Sequence, residues 1–264
     1  MKNILITGMN SYIGKSLEKY LSENPDKYNI DFISLRNDEW KNIDFSKYDV
    51  LFHVAAVVHK KEKAEMESLF IRINKDLSVE VATKAKNEGI KQFVFISTMS
   101  VYGTDGEIGE EVVIGATTET NPTTYYGESK LAAEIELNKL NDDKFKVLVL
   151  RPPMIYGPNC TGNYARLEKF ALKSPIFPMI DNKRSMLSID KLCEYIKGYI
   201  DEERCGLYFP QDELYVNTSL LVKKIAEENG RRVHLSKMLG FIVKLVGKRV
   251  NILKKIFGNL VYEK

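Results

Sequence analysis

The chain has 264 residues, a hydrophobic share of 44% and a formal net charge of +3. That length suits one large α/β domain, or a ligand-binding domain with a small second lobe, and the apolar share excludes a disordered chain. The small charge excludes the basic footprint of a nucleic-acid-binding protein, and three cysteines without a CxxC pair (Cys160, Cys193, Cys205) exclude a disulfide framework and a zinc site.

Strand-like sequence begins at once with Lys2-Asn-Ile-Leu-Ile-Thr7, which leaves no room for a signal peptide. No apolar run approaches the ~18–20 residues of a membrane span, so a soluble cytoplasmic protein is expected. In chain order, strand-length apolar runs (Ile4–Thr7, Phe32–Leu35, Val50–Val54, Gln92–Ile96, Val147–Leu150) alternate with helical patterns (Ile13–Leu21, Met66–Lys86, Tyr126–Leu140). Short buried strands separated by helices predict an α/β fold, a Rossmann doubly wound parallel sheet. From about Arg151 the prolines 152, 153, 158, 175 and 178 mark loops. Residues 1–150 are therefore expected to form the Rossmann domain, and 151–264 a small C-terminal substrate lobe interleaved with it.

Ligands of such a sheet sit beyond the carboxyl ends of its strands. The first of these ends runs Thr7-Gly8-Met-Asn-Ser11-Tyr-Ile-Gly14. Gly8 suits a tight turn against a pyrophosphate, and Gly14 lets the helix pack close to the sheet. Asn10, Ser11, Tyr12 and Ile13 lie between them, where free N–H groups and the positive helix end favour phosphates. The middle glycine of the usual pattern is replaced by Ser11. After the second strand no acid awaits the adenosine ribose; Arg36 stands there instead. It suits a 2′-phosphate and leans toward NADP over NAD, the alternative being an arginine stacked on adenine or facing solvent. Asp44 and Phe45 precede the third strand, where the carboxylate can accept from the adenine amine.

Tyr126 and Lys130 stand at i and i+4 on one helix face. An ammonium beside a phenol lowers its pKa, and a Tyr so tuned can exchange a proton with a sugar or alcohol oxygen while nicotinamide exchanges hydride. The fourth strand runs into Ser97-Thr98-Met-Ser100, which places Thr98 or Ser100 near the same oxygen.

In this order and spacing, Thr7–Gly14, His53-Val-Ala-Ala56, Asn74, Ser97–Gly103, Tyr126-Gly-Glu-Ser-Lys130 and Arg151-Pro-Pro-Met-Ile-Tyr-Gly-Pro158 resemble the extended short-chain dehydrogenase/reductase family, in its NAD-dependent epimerase/dehydratase group. The resemblance implies a catalytic triad of Thr98, Tyr126 and Lys130. It implies a cofactor site lined or supported by Val54, Ala55, Ala56, Asn74, Tyr126, Lys130 and Pro153. It also implies a UDP-sugar substrate held by Thr98, Asn163 and Arg184, and a homodimer built on the helices around 66–86 and 126–140. Met99-Ser100 replaces the acidic pair of the family's dehydratases, so the implied reaction is hydride transfer at C4 of a UDP-hexose in polysaccharide biosynthesis, by a 4-epimerase or a 4-ketoreductase. The alternatives are a non-catalytic dinucleotide sensor or scaffold, and a reductase of a non-sugar carbonyl. The chain ends soon after Phe257, which implies that a late element of the lobe is missing.

Between Glu228 and Glu263 there is no acid but eight cations: Arg231, Arg232, Lys237, Lys244, Lys248, Arg249, Lys254 and Lys255. Interleaved apolar residues predict basic amphipathic helices that close the lobe. The sharper alternative is weak peripheral contact with an anionic membrane.

Overall fold

The computed structural model describes residues 1–58 and 64–264. The chain begins β1 (Lys2–Thr7), α1 (Tyr12–Leu21), β2 (Tyr28–Ile33) and β3 (Val50–His53). A composite helix follows: a 3-10 turn at Ala64–Met66, α2 (Glu67–Phe70), a π-helical segment at Ile71–Asp76 and α3 (Leu77–Asn87). Next come β4 (Gln92–Ile96), the short β5 (Val113–Ile114), α4 (Tyr125–Asn138) and β6 (Lys146–Leu150). The second half holds β7 (Met154–Tyr156), α5 (Asn163–Lys173), β8 (Ile176–Pro178), β9 (Met186–Ser188) and α6 (Ile189–Asp201). It closes with β10 (Gly206–Tyr208), α7 (Thr218–Glu228), β11 (His234–Ser236), α8 (Lys237–Val246), α9 (Asn251–Phe257) and β12 (Val261–Tyr262).

These elements divide into two compact units. The first comprises Met1–Gly103, Thr120–Pro152 and Ile189–Pro210, and the second the remainder. The first unit is built on a six-stranded parallel sheet of order β10-β6-β4-β3-β1-β2. Its central strands read VLFH and QFVFI and every residue in them is buried, as a sheet covered on both faces requires. The order reverses between β1 and β3, so the loops leaving those two strands flank the crevice where such sheets bind ligands.

Three expected boundaries moved. The second strand starts at Tyr28, because β2 pairs with β1 from Lys2↔Tyr28 to Thr7↔Ile33. Its Asn29 and Asp31 are tolerated at the sheet edge and disguise it as loop. The single helix expected over 66–86 is interrupted by the π-helical segment, whose wider turn aims Asn74 into the core. The stretch 189–210, expected in the second lobe, adds α6 and the sixth strand to the first unit. The cause is the apolar face of α6 (Ile189, Leu192, Cys193, Ile196, Ile200), which is buried.

The second unit has its own core, including Ile108, Ala171, Phe177, Ile180, Val222, Ile225 and Phe257. Three two-stranded parallel pairings, β7 with β9, β8 with β11 and β5 with β12, frame it.

Candidate active site

The Gly8 loop is shaped by contact with the next strand. Gly8 has φ +84°, and a Cβ there would stand 3.3 Å from both Cα and N of Ala55. Both conditions favour glycine and press the two crevice loops together. At Gly14 a Cβ would stand 3.2 Å from Ile6 Cγ2, so α1 lies close on the sheet. Ser11 at the middle position has φ −67°, which any residue adopts, and its hydroxyl caps α1 by accepting from Gly14 N–H at 3.3 Å. Serine is thus an N-cap where a glycine has no conformational advantage. The first-turn amides of α1 point past its N-terminus, an arrangement that fits a pyrophosphate.

Behind this loop lies a buried polar chain whose proton positions follow from counting hydrogens. Ser78 Oγ donates to the Asn74 carbonyl at 2.8 Å, which spends its one hydrogen. His53 Nε2, 2.9 Å from Ser78 Oγ, must therefore carry the ring hydrogen and donate it. His53 Nδ1 is left to accept, and it accepts from Thr7 Oγ1 at 3.2 Å. The Thr7 oxygen in turn accepts from the amides of Val54 (3.1 Å) and Ala55 (3.2 Å). Burial, then the positive charge of Lys130, holds the His53 pKa down to about 3, so the ring is neutral as the count requires. Asn74 continues the chain. It holds the Val57 backbone from both sides (Oδ1 accepting at 2.7 Å, Nδ2 donating at 3.1 Å) and donates to Ser129 Oγ at 3.0 Å. Ser129 then donates to the Tyr126 carbonyl at 2.9 Å. Asn74, buried and fully engaged with protein groups, supports the crevice loop.

The segments that carry Thr98 and Tyr126 are docked through two glycines. A Cβ on Gly127 would stand 2.7 Å from the Ser100 carbonyl oxygen, and one on Gly103 (φ +66°) 1.8 Å from the Asn121 carbonyl oxygen. Helix α4 can press against the turn after β4 only with glycine at both positions. Thr124 caps α4 by accepting from Gly127 N–H at 3.1 Å, and Thr98 caps the 3-10 turn Met99–Tyr102 by accepting from Ser100 N–H at 3.1 Å.

Burial pushes the Tyr126 phenol up to about 12, and a hydrogen bond with the Thr98 side chain works in the other direction. The lowering toward working pH expected from Lys130 is thus not found. Lys130 Nζ instead donates to the Ile96 carbonyl at 2.7 Å, above the Phe95 ring, and burial holds its own pKa down to about 7 against the pull of Glu134. The pair therefore holds a protonated phenol beside a readily deprotonated ammonium.

Glu134 escaped the sequence reading, although it continues the Tyr126, Lys130 stripe at i+8. It is buried against Arg151, whose Nη2 donates to Glu134 Oε2 at 2.6 Å. Arg151 Nη1 donates to the Tyr102 hydroxyl at 2.8 Å, and Ser97 Oγ donates to Glu134. This cluster ties the ends of β4 and β6 to α4 beneath Thr98.

The family model described as NAD dependent epimerase/dehydratase family matches residues 4–182. The chain belongs to that family. A UDP-glucose 4-epimerase from Vibrio cholerae is 29% identical over 85% of this chain and 75% of the relative. An N-acetyl-alpha-D-glucosaminyl-diphospho-ditrans,octacis-undecaprenol 4-epimerase from Escherichia coli O157:H7 is 25% identical over 97% of this chain and 81% of the relative. In fold it is similar to a UDP-glucuronic acid 4-epimerase from Bacillus cereus in complex with NAD, with a TM-score of 0.74 at 19% identity over 98% of this chain and 87% of the other.

Of the remaining residues expected in the site of an epimerase/dehydratase family member, Arg36 is exposed three residues beyond β2 and makes no ion pair among the described residues. Asp44 is exposed, and its carboxylate, held below the usual range by hydrogen bonds from Ser46, accepts from Ser46 N–H at 2.8 Å. Phe45 departs from the expectation: its ring is buried near Trp40, and its N–H donates to Glu88 Oε2 at 2.6 Å. Its side chain belongs to the core because the following turn must anchor β3. Val54, Ala55 and Ala56 line the crevice loop, half-buried.

Pro153, Asn163 and Arg184 lie in the second unit. Pro153 is buried, and Asn163 is exposed as the first residue of α5. Arg184 differs from the phosphate ligand expected. Its Nη1 donates to the carbonyls of Gly258 (2.8 Å), Asp105 (3.1 Å) and Lys254 (3.5 Å). That nitrogen ties the Asp105 loop to the C-terminal end of α9, a structural role for the half-buried guanidinium. In the basic tail, Lys248 pairs with Glu110 at 2.8 Å, Lys254 with Glu107 at 2.6 Å and Lys255 with Asp105 at 4.0 Å. No described helix is long and apolar enough to cross a membrane, and no described group of three or more His, Cys, Asp or Glu could hold a metal.

Proposed function

We propose that the protein is a nicotinamide-dependent 4-epimerase of a hexose carried on UDP, with Tyr126 as its acid/base and a role in surface polysaccharide synthesis. The observation that carries the reading is the continuous hydrogen-bonded chain Thr7–His53–Ser78–Asn74–Ser129–Tyr126. It joins the phosphate loop to the proton-transferring residue through one buried scaffold. The substrate class is supported by the two epimerase relatives, whose names give hexoses linked to a diphosphate as what they act on.

When bound, nicotinamide would supply the hydride chemistry, accepting hydride from C4 and giving it back to the opposite face of the ketone, which inverts that carbon. The chain supplies the proton. Tyr126 rests as the phenol and acts once it has lost its proton: as the C4 alcohol becomes a ketone, the hydroxyl proton passes to that phenolate, and on the return Tyr126 gives it back to the C4 oxygen. Thr98, hydrogen-bonded to the phenol, favours the ionised form, and Lys130 stands one turn further along α4. The Gly8 loop, Ser11 and the free first-turn amides of α1 would hold the pyrophosphate, with Gly14 letting α1 lie close on the sheet. In this reading Asp44 would accept from the adenine amine, and Asn163 would hold the substrate.

Tyr126→Phe is expected to lower kcat about 10²–10⁴-fold while dinucleotide affinity is unchanged. C4 inversion of UDP-glucose and UDP-N-acetylglucosamine, read by proton NMR, gives the rate. Unchanged turnover in the variant overturns the mechanism. Arg36 supports a second reading, a 4-ketoreductase using NADP, because an unpaired guanidinium stands where an acid would exclude the 2′-phosphate. Arg36→Ala weakens NADPH binding and leaves NADH binding unchanged under that reading alone. A homodimer through α3 and α4 accompanies either reading, and a light-scattering mass of one chain excludes it.

A further inference from the structure

The acid-free stretch 229–262 builds α8, and only a narrow seam of this helix is used by its own unit. Gly240, Val243 and, one residue past its end, Gly247 are buried. A Cβ on Gly240 would stand 2.1 Å from the Met179 carbonyl oxygen, so the helix lies tight on the segment after β8. The opposite face carries Met238, Phe241, Ile242, Leu245 and Val246, at i, i+3, i+4, i+7 and i+8. This is the spacing of a core-facing stripe, yet all five are exposed, Met238 to 71%, Phe241 to 64% and Leu245 to 65%. Val250 and Ile252 extend the patch beyond the helix, and Met179 beside it is also exposed. A contiguous apolar surface of this kind marks an interaction site.

Charge decides what it meets. At 100° per residue, Lys237, Lys244 and Lys248 fall along one flank of the stripe, and Arg249 follows at its end. Lys248 is paired with Glu110, whereas Lys237, Lys244, Arg249, Arg231 and Arg232 make no ion pair among the described residues. A two-fold contact with a second copy would set this cationic flank against itself. An apolar stripe bordered by unpaired cations is complementary to an anionic lipid surface. Ten residues of helix span only about 15 Å, too short to cross a bilayer but sufficient to lie in its interface.

We propose that α8 docks the protein on an anionic membrane, with Phe241, Leu245 and Met238 in the headgroup–acyl boundary and Lys237 and Lys244 among the headgroups. No residue of this surface has a role in the proposed C4 chemistry, so either can fail without the other. The test is co-sedimentation of the full chain with vesicles of phosphatidylcholine alone or mixed with phosphatidylglycerol. The full chain is expected to pellet with the mixed vesicles at low salt and to be released by high salt. Lys237→Ala with Lys244→Ala lowers partitioning about 25-fold, near five-fold for each cation removed. Phe241→Glu with Leu245→Glu abolishes it; both side chains are exposed, so far-UV circular dichroism and Tm stay as in the parent. Failure of the parent chain to bind mixed vesicles at low salt overturns the proposal. So does equal binding by the Phe241/Leu245 variant. A parent dimer that this variant converts to monomer, with no vesicle binding by the parent, assigns the face to a second copy instead.

Discussion

Thr7→Val keeps the shape of the side chain and removes only its oxygen, which makes it a direct probe of the buried chain behind the crevice. That oxygen accepts from the amides of Val54 and Ala55 and donates to His53 Nδ1. Valine leaves all three without partners at a position with no solvent exposure. At about 1 kcal/mol or more for each unmet group, the variant loses about 3 kcal/mol of stability. Thr7→Ser keeps the oxygen and loses one methyl group, a cost of about 1 kcal/mol. The closer match in shape is therefore the more damaging. Urea unfolding followed by circular dichroism gives the difference as a shift in midpoint, and dinucleotide titration reads the loosened 54–56 loop as a raised Kd. If the valine variant proves as stable as the serine variant, the proposed hydrogen-bond count is wrong.

The same count predicts an NMR result: His53 is the Nε2–H tautomer and stays neutral well below its ordinary pKa of 6.5, down to about 3. The unfolded chain binds that proton more readily than the folded one between those values, so His53 makes stability fall as pH falls through that window, read as Tm against pH. Lys130, depressed from 10.5 to about 7, has the corresponding sign at higher pH: stability rises as pH climbs from about 7 to about 10. Lys130→Met should flatten that rise and lift Tm at neutral pH by about 2 °C or more, while turnover falls. Glu134→Gln leaves the Arg151 guanidinium buried without a counter-charge, and a loss of about 3–5 kcal/mol in denaturant unfolding is expected. Gly127→Ala pushes a methyl against the Ser100 carbonyl oxygen, so kcat drops about ten-fold or more through misplaced Thr98 and Tyr126, with KM changed less.

The sequence by itself determined the parallel sheet through four of its strands, β1, β3, β4 and β6, and the chain positions of its crevice residues, because these depend on near neighbours. The continuous apolar runs at Val50–His53 and Gln92–Ile96 can only be strands buried on both faces. The Gly8 to Gly14 spacing sits at a strand's end, and Tyr126 and Lys130 share a helix face. Family resemblance then supplied what two glycines and a chance Tyr–Lys pair could not.

Tertiary structure decided whatever depends on distant partners. The tautomer of His53 is set by Thr7 and Ser78, 46 and 25 residues away. Arg184 became a tether of loops because carbonyls 70 to 79 residues distant converge on it. Phe45 turned into the core, and 189–210 joined the first unit, because burial rewards whichever apolar face finds a surface. The phenol of Tyr126 rose where its sequence neighbour suggested a fall, since desolvation is a property of the packed site. The stripe on α8 shows the same limit from the other side: its helical period is plain in the sequence, but only packing reveals that the apolar face looks outward.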